Sequence, residues 1–210
     1  MRDVRTILVL VAVALLVPAA AGAAAAPSPD GHDRALMAQL EAKVAQYEGL
    51  GSNSSDDIDK LMSKCGLVKK DPSQALGVAF AFVPIAVIEL VQRYHGPFVD
   101  IRQTLSTMQP HSSLFRRWVA AELRELDFLL RFDNGGKKID PCAAVRVMLS
   151  KSPSPAQVRS ALGVDPALLA QLLARSTRGH ASDLKQLDPP MRKFLLAGGV
   201  SEKHADALTS

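Results

Sequence analysis

An apolar run extends from Ala75 to Val91, and its first fourteen residues carry no charge. In a helix, apolar side chains would form a stripe at spacings of three and four, consisting of Leu76, Phe80, Val83, Val87 and Leu90. The opposite side is apolar too, so this helix must be surrounded by protein or by lipid. With Pro84 inside, the run is short for a membrane span. We therefore predict a buried central helix, from about Pro72 to residues 94–96, that is kinked at Pro84.

Helical periodicity recurs along the rest of the chain. Apolar spacings of three and four predict a helix before Gly49, a helix that ends near Cys65, a short helix marked by Phe98, Ile101, Leu105 and Met108, and a long helix from Ser113 to Phe132. Shorter helices are expected to start at the prolines of Asp-Pro or Ser-Pro pairs, since Asp and Ser cap a first turn and proline fits the first helical position. They would cover Pro141–Ser150, Pro155–Leu162 and Pro166–Arg178, and a further helix, which contains the pair Asp188-Pro189, is expected at Asp183–Ala197. No window alternates at period two, so we predict an all-α fold, a compact multi-helix bundle around the central, proline-kinked helix.

The N-terminal residues have the layout of a secretory signal peptide. Arg2 and Arg5 precede a twelve-residue apolar run, and a series of small residues follows. We expect cleavage between Ala20 and Ala26, with Ala23 the favoured position, which assigns residues 1–23 to the signal peptide. An uncleaved anchor is the alternative, but the apolar run is short for one. The protein is therefore predicted to be secreted and extracellular.

The remaining chain is long enough for one domain with a proper core. Residues 24–31 are interpreted as a linker because they are small and rich in proline and serine. Residues 32–210 are then expected to form a single helical domain. The alternative is that this domain is divided near residues 133–139, because the sequence Asp-Asn-Gly-Gly there is typical of a loop.

Two cysteines, Cys65 and Cys142, are present in the chain. An even pair in a secreted protein predicts a disulfide, with two free buried thiols as the alternative. Two cysteines without a histidine at ligand spacing do not suggest a metal site. The same secretory context makes Asn53, in an Asn-Ser-Ser triplet, a candidate for N-glycosylation.

The chain carries no motif for catalysis and no surface for nucleic acid. It lacks a phosphate-binding glycine loop, a Gly-x-Ser-x-Gly sequence and zinc patterns, so we expect no catalytic residues, no metal and no cofactor. The net charge of +4 comes with scattered basic pairs that no aromatic residues accompany. We therefore predict that the protein is not an enzyme and binds no nucleic acid.

The bend at Pro84 suggests where a ligand could bind. We predict that Phe80, Phe82, Val83 and Val87 form one wall of an apolar cavity, because small-molecule pockets are mostly apolar concavities. A solid core around the bend is the alternative. The resulting hypothesis is a secreted carrier of an apolar small molecule or lipid. The other functions considered are an extracellular protein-interaction module, such as an inhibitor or effector, and a membrane-active helical protein that has no stable membrane span.

Overall fold

A computed structural model describes residues 28–47, 63–66, 72–150, 153–177 and 182–209. The predicted signal peptide, Asn53, and the side chain of Phe80 lie outside the described residues. The described part contains eight helices and no strand, which confirms the predicted all-α fold. The helices are α1 (Gly31–Gln46), α2 (Pro72–Thr107), α3 (Ser113–Leu130), α4 (Pro141–Met148), α5 (Pro155–Leu162), α6 (Pro166–Thr177), α7 (Ser182–Ala197) and α8 (Glu202–Leu208).

Helix α2 is the central helix, and its backbone is interrupted near Pro97. The break lies at Tyr94, whose dihedral angles of −114° and 21° fall outside the helical range. Pro97 has no N–H to donate to the carbonyl of Arg93, so the helical hydrogen-bond pattern cannot continue through this point. The break coincides with the helix end predicted at residues 94–96. At Pro84, which is buried, α2 keeps helical dihedral angles.

The core is built where α3 packs against α2 on one side and α7 on the other. Helix α2 contributes Ile85, Ile88 and Val91, which are fully buried. On α3, the ring of Phe115 lies 6.0 Å from that of Phe194 on α7, measured between centroids. Burying such side chains stabilises the fold by roughly 1.5–3 kcal/mol each before the loss of chain entropy is counted. The described helices therefore share one contiguous apolar cluster.

A buried carboxylate fixes the start of α3 against α1. Asp33, which is 1% exposed, accepts hydrogen bonds from the backbone N–H groups of His111 and Ser112 at 2.7 and 2.8 Å. Ser112 in turn caps α3, because its side chain accepts a bond from the backbone N–H of Phe115. Charge-assisted bonds of this kind are stronger than neutral ones. The N-termini of α1 and α3 are therefore held together by one side chain.

The predicted helix starts are confirmed at three prolines. Asp140 caps α4, Ser154 forms a capping box at α5, and the Asp165 carboxylate accepts a bond from the backbone N–H of Ala167 at α6. The pair Asp188-Pro189 lies inside α7, as the predicted range Asp183–Ala197 implies. Because proline has no N–H, Pro189 does not donate the helical hydrogen bond to the carbonyl of residue 185, which lies near the beginning of α7.

A disulfide joins Cys65 to Cys142 in the first turn of α4, as predicted. The loop before α4 also contacts neighbouring helices. Gln92 on α2 donates a hydrogen bond to the carbonyl of Lys137 at 2.9 Å, and the amide of Asn134 donates to the carbonyl of Leu162 on α5. The domain sub-division near 133–139 stays a prediction.

Across the described residues, none of the helices combines the length and the apolar character that a membrane span requires.

Candidate functional site

An apolar cavity of about 80 Å³ lies between α1, α2, α3 and α8. Helix α1 contributes Leu40 and Val44, and the second half of α2 contributes Phe98, Ile101 and Leu105. Leu126 and Leu129 of α3 continue the wall, and α8 completes it with Ala207 and Leu208. Three further residues of α3 belong to this lining: Trp118, Glu122 and Glu125.

The residues predicted to bind a ligand lie elsewhere in the fold. Phe82 and Val87 are buried in the core, and Val83 is partly buried against it. None of these three belongs to the lining of the cavity between α1, α2, α3 and α8. A ligand wall at Phe80, Phe82, Val83 and Val87 therefore stays a prediction. The cavity that is observed uses the part of α2 that follows the break at Tyr94.

Trp118 contributes its indole ring to the cavity wall, and its N–H is buried away from the cavity. It is 1% exposed, and its Nε1–H finds no acceptor among the described residues. A buried donor without an acceptor is unfavourable, and such groups are few in folded proteins. Trp118 is also the only tryptophan of the chain, so its fluorescence reports on this cavity alone.

Glu122 lies one helical turn after Trp118 and also lines the cavity. Its side chain is partly buried. Burial, reinforced by the nearby carboxyl groups of Asp188 and Glu125, raises the pKa of Glu122 to about 8. At neutral pH this side chain is therefore mainly protonated, and it presents an O–H donor as well as a carbonyl oxygen.

The two neighbouring carboxyl groups have different surroundings. Glu125 accepts bonds from Nη1 of Arg175 on α6, at 3.0 Å to Oε1 and 3.1 Å to Oε2. The guanidinium group of Arg175 also lies 3.7 Å from the centre of the Phe128 ring, which holds it in place. Asp188 on α7 has no such cation in the described contacts, and burial raises its pKa to about 6.

We expect Glu122→Gln to change how stability depends on pH. The pKa of Glu122 lies above its ordinary value of 4.5, so the folded state binds more protons than the unfolded state between 4.5 and about 8. Stability contributed by the neutral carboxyl therefore falls as pH rises through this window. Denaturation with urea should show Glu122→Gln more stable than wild type by about 1–3 kcal/mol at pH 9, with no gain at pH 4.

The matched control is Glu202→Gln, whose side chain is 78% exposed on α8. This variant should follow the wild-type dependence on pH. If Glu122→Gln also follows it, the carboxyl of Glu122 is not held neutral in the folded state.

The wall formed by α8 is attached through polar contacts. His204 Nδ1 lies 2.8 Å from Glu41 on α1, and Arg192 on α7 lies 2.6 Å from Asp206. Burial alone would raise the pKa of Glu41, but bonds from the Ser201 N–H and from His204 outweigh it and lower that pKa. The cavity is thus closed on one side by a short helix that is held largely by ionic and hydrogen-bonding groups.

A second concavity is a solvent-facing groove of about 390 Å³ between α3 and α7, lined by Leu114, Arg117, Ala120, Arg124, Gln186, Leu187 and Pro190. Its walls are mainly surface side chains, and it lacks the enclosed apolar character of the first cavity. Away from both, the imidazoles of His32 and His111 stack at 4.1 Å beside Asp30. In the described residues, no group of three or more His, Cys, Asp or Glu side chains is placed so that it could hold a metal ion.

Sequence reasoning identified several of the faces that meet at the cavity but missed its polar residues. Leu40, Val44, Phe98, Ile101 and Leu105 each belong to a helical face that periodicity reveals. Glu122 could have been noticed because it follows Trp118 by four residues and borders the apolar stripe of α3. No family model, curated protein or solved structure matches this chain.

Proposed function

We propose that this protein is a secreted binding protein for a small apolar molecule, which occupies the cavity between α1, α2, α3 and α8. The observation that supports this proposal is the composition of the cavity lining, which is apolar except for a few polar residues. Small-molecule sites usually combine apolar walls with a few polar groups that orient the ligand. Here those groups belong to Glu122 and Glu125.

The size of the cavity limits what it can hold. A dry cavity of about 150 Å³ in another protein accepts benzene. With about 80 Å³, this cavity suits a molecule of a few carbon atoms or one end of a longer chain. A complete fatty acid would fit only if α8 moved away from Glu41 and Arg192.

Secretion is the second part of the proposal, and the disulfide between Cys65 and Cys142 supports it. Disulfides persist mainly in oxidising compartments, where a chain with a signal peptide is delivered. N-terminal sequencing of protein from a secretion medium should begin between residues 21 and 27. An intact Met1 would contradict this step. Loss of mass on treatment with an N-glycan amidase would show whether Asn53 is modified.

Xenon, which dry apolar cavities also bind, should enter this cavity and quench the fluorescence of Trp118. Because the lining is apolar and the indole belongs to it, we expect a saturable change with a Kd of about 10 mM or below. Ala207→Leu places three more carbon atoms at the cavity wall and should weaken xenon binding at least tenfold. Fluorescence titration of wild type and variant gives both numbers.

Ala42→Leu is the matched control, because Ala42 is exposed on α1 and does not line the cavity. It should bind xenon as the wild type does. If the wild type shows no saturable response, or if both variants respond alike, the cavity is not a binding site and this proposal is wrong.

A further inference from the structure

We propose that α8 is a movable lid on this cavity, and that its release from Glu41 on α1 and Arg192 on α7 admits an apolar chain longer than the closed cavity can hold. This inference rests on the proposed function, because it concerns how the same cavity takes up its ligand. It adds a moving element and a class of ligand, an unbranched aliphatic chain, to that proposal.

Helix α8 has little apolar surface to hold it in place. Ala205 is the one residue of α8 that is buried, whereas α3 buries eight of its residues. Ala207 and Leu208, which line the cavity, are only partly buried. Regions with few buried apolar contacts open at a lower free energy than the core does. By this criterion α8 is the wall of the cavity that separates most easily.

Much of the attachment of α8 consists of ion pairs and hydrogen bonds. Oε1 of Glu41 accepts a bond from the backbone N–H of Ser201 at 3.0 Å, and the same oxygen lies 2.8 Å from Nδ1 of His204. From α7, Nε of Arg192 donates to the carboxylate of Asp206 at 2.6 Å. Partly exposed ion pairs stabilise weakly and are screened by salt, so these contacts can be exchanged for water at small cost.

The hinge of the lid lies at Ser201. The chain is fixed up to Val200, which is 4% exposed and whose N–H donates to the carbonyl of Leu195 at 3.1 Å. Ser201 itself is exposed, and its N–H is bonded to the side chain of Glu41. Glu41 therefore holds both the hinge and, through His204, the helix that follows it. Loss of this one carboxylate frees both.

Opening of α8 changes the size of the cavity. The wall formed by Ala207 and Leu208 moves away, while Leu40, Phe98 and Leu129 belong to the long helices and stay in place. With α8 closed, about 80 Å³ is available, which is too little for a long alkyl chain. Such a chain binds only where α8 has moved aside, whereas a xenon atom fits the closed form. The two ligands therefore select different states of the lid.

The test compares Glu41→Ala with Gln39→Ala, a control at an exposed position of α1. Xenon is the probe for the closed cavity, and 1-octanol is the probe for the open one. Because Glu41→Ala raises the fraction of open molecules, 1-octanol should bind about tenfold more tightly than to wild type, and xenon should bind no more tightly. Gln39→Ala should bind both probes as wild type does. Ligand-observed NMR and xenon NMR give the affinities.

Hydrogen exchange measures the motion of α8 without any ligand. A helix of seven residues does not persist in water once it is detached, so opening exposes its amides to solvent. Exchange at residues 205–208 should be about tenfold faster in Glu41→Ala, while the amides of Phe194 and Leu195 on α7 should change less than about twofold. Arg192→Met should accelerate the same α8 amides, which keeps the inference testable if Glu41→Ala fails to fold.

The outcomes distinguish the two proposals. If neither xenon nor 1-octanol binds, the proposed function is wrong, and this inference falls with it. If xenon binds but Glu41→Ala changes neither the affinity for 1-octanol nor the exchange of α8, the cavity binds ligands and α8 is not its lid. Faster exchange in α8 without tighter binding of 1-octanol would also overturn the inference, because α8 would then move without admitting a longer chain.

Discussion

Replacing Phe194 with alanine is expected to lower the free energy of unfolding by about 3–5 kcal/mol. Phe194 on α7 is fully buried, and its ring packs against that of Phe115 on α3, which is fully buried as well. Alanine would leave a cavity between these two helices that the surrounding helices can fill only in part. Because α7 carries Arg192, which contacts α8, the loss should spread to that helix too.

Urea denaturation of the variant measures this loss, and two companions calibrate it. Phe194→Leu removes only part of the ring volume and should fall between wild type and Phe194→Ala. Leu149→Ala truncates a side chain that is 41% exposed, so its effect should stay within about 0.5 kcal/mol. If Phe194→Ala proved as mild as Leu149→Ala, the packing of α3 on α7 described above would be wrong.

Removing the disulfide by Cys65→Ser with Cys142→Ser is expected to destabilise the protein by about 4 kcal/mol. The bond spans a sequence separation of 77 residues, and in the chain-entropy model a long closed loop restricts the unfolded state strongly. Opening it raises the entropy of the unfolded chain while α4, which contains Cys142, keeps its contacts with the neighbouring helices. The oxidised wild type, the reduced wild type and the double variant should be compared in urea.

The free energies of unfolding of the reduced wild type and the double variant should agree within about 1 kcal/mol. Both proteins lack the disulfide, and they differ only in having sulfur or oxygen at the two side chains. Equal stability of oxidised and reduced wild type would show that the bond does not constrain the unfolded chain. Peptide mapping without reductant provides the accompanying control, because the Cys65–Cys142 pair should be found linked in the oxidised sample.

The parts of the fold that could be predicted from the sequence are those that local chemistry decides. The face of α1 at Leu40 and Val44 follows from helical spacing, and the start of α4 follows from Asp140 and its proline. Helical spacing also predicted α7, since the expected range Asp183–Ala197 nearly matches the observed Ser182–Ala197. The Asp-Pro rule alone would have misplaced its start, because the pair Asp188-Pro189 lies inside this helix.

The site was less accessible to sequence reasoning because four helices from distant parts of the chain build it. Periodicity shows that Phe98 and Leu105 share a face, but it does not show that this face meets Leu40. It also favoured the bend at Pro84, whereas the backbone of α2 breaks at Tyr94. Asp33 illustrates a further limit, since nothing in its local sequence marks it as a buried acceptor for the start of α3.

The contact between Glu41 and His204 joins residues that are 163 positions apart, so it is among the most non-local contacts of the fold. Bringing such distant segments together carries a loop-closure entropy that nearby contacts do not have. Contacts of high sequence separation slow folding because this entropy is lost before the contact stabilises the chain. The cavity needs α8 for one of its walls, so it exists only once the two ends of the described chain have met.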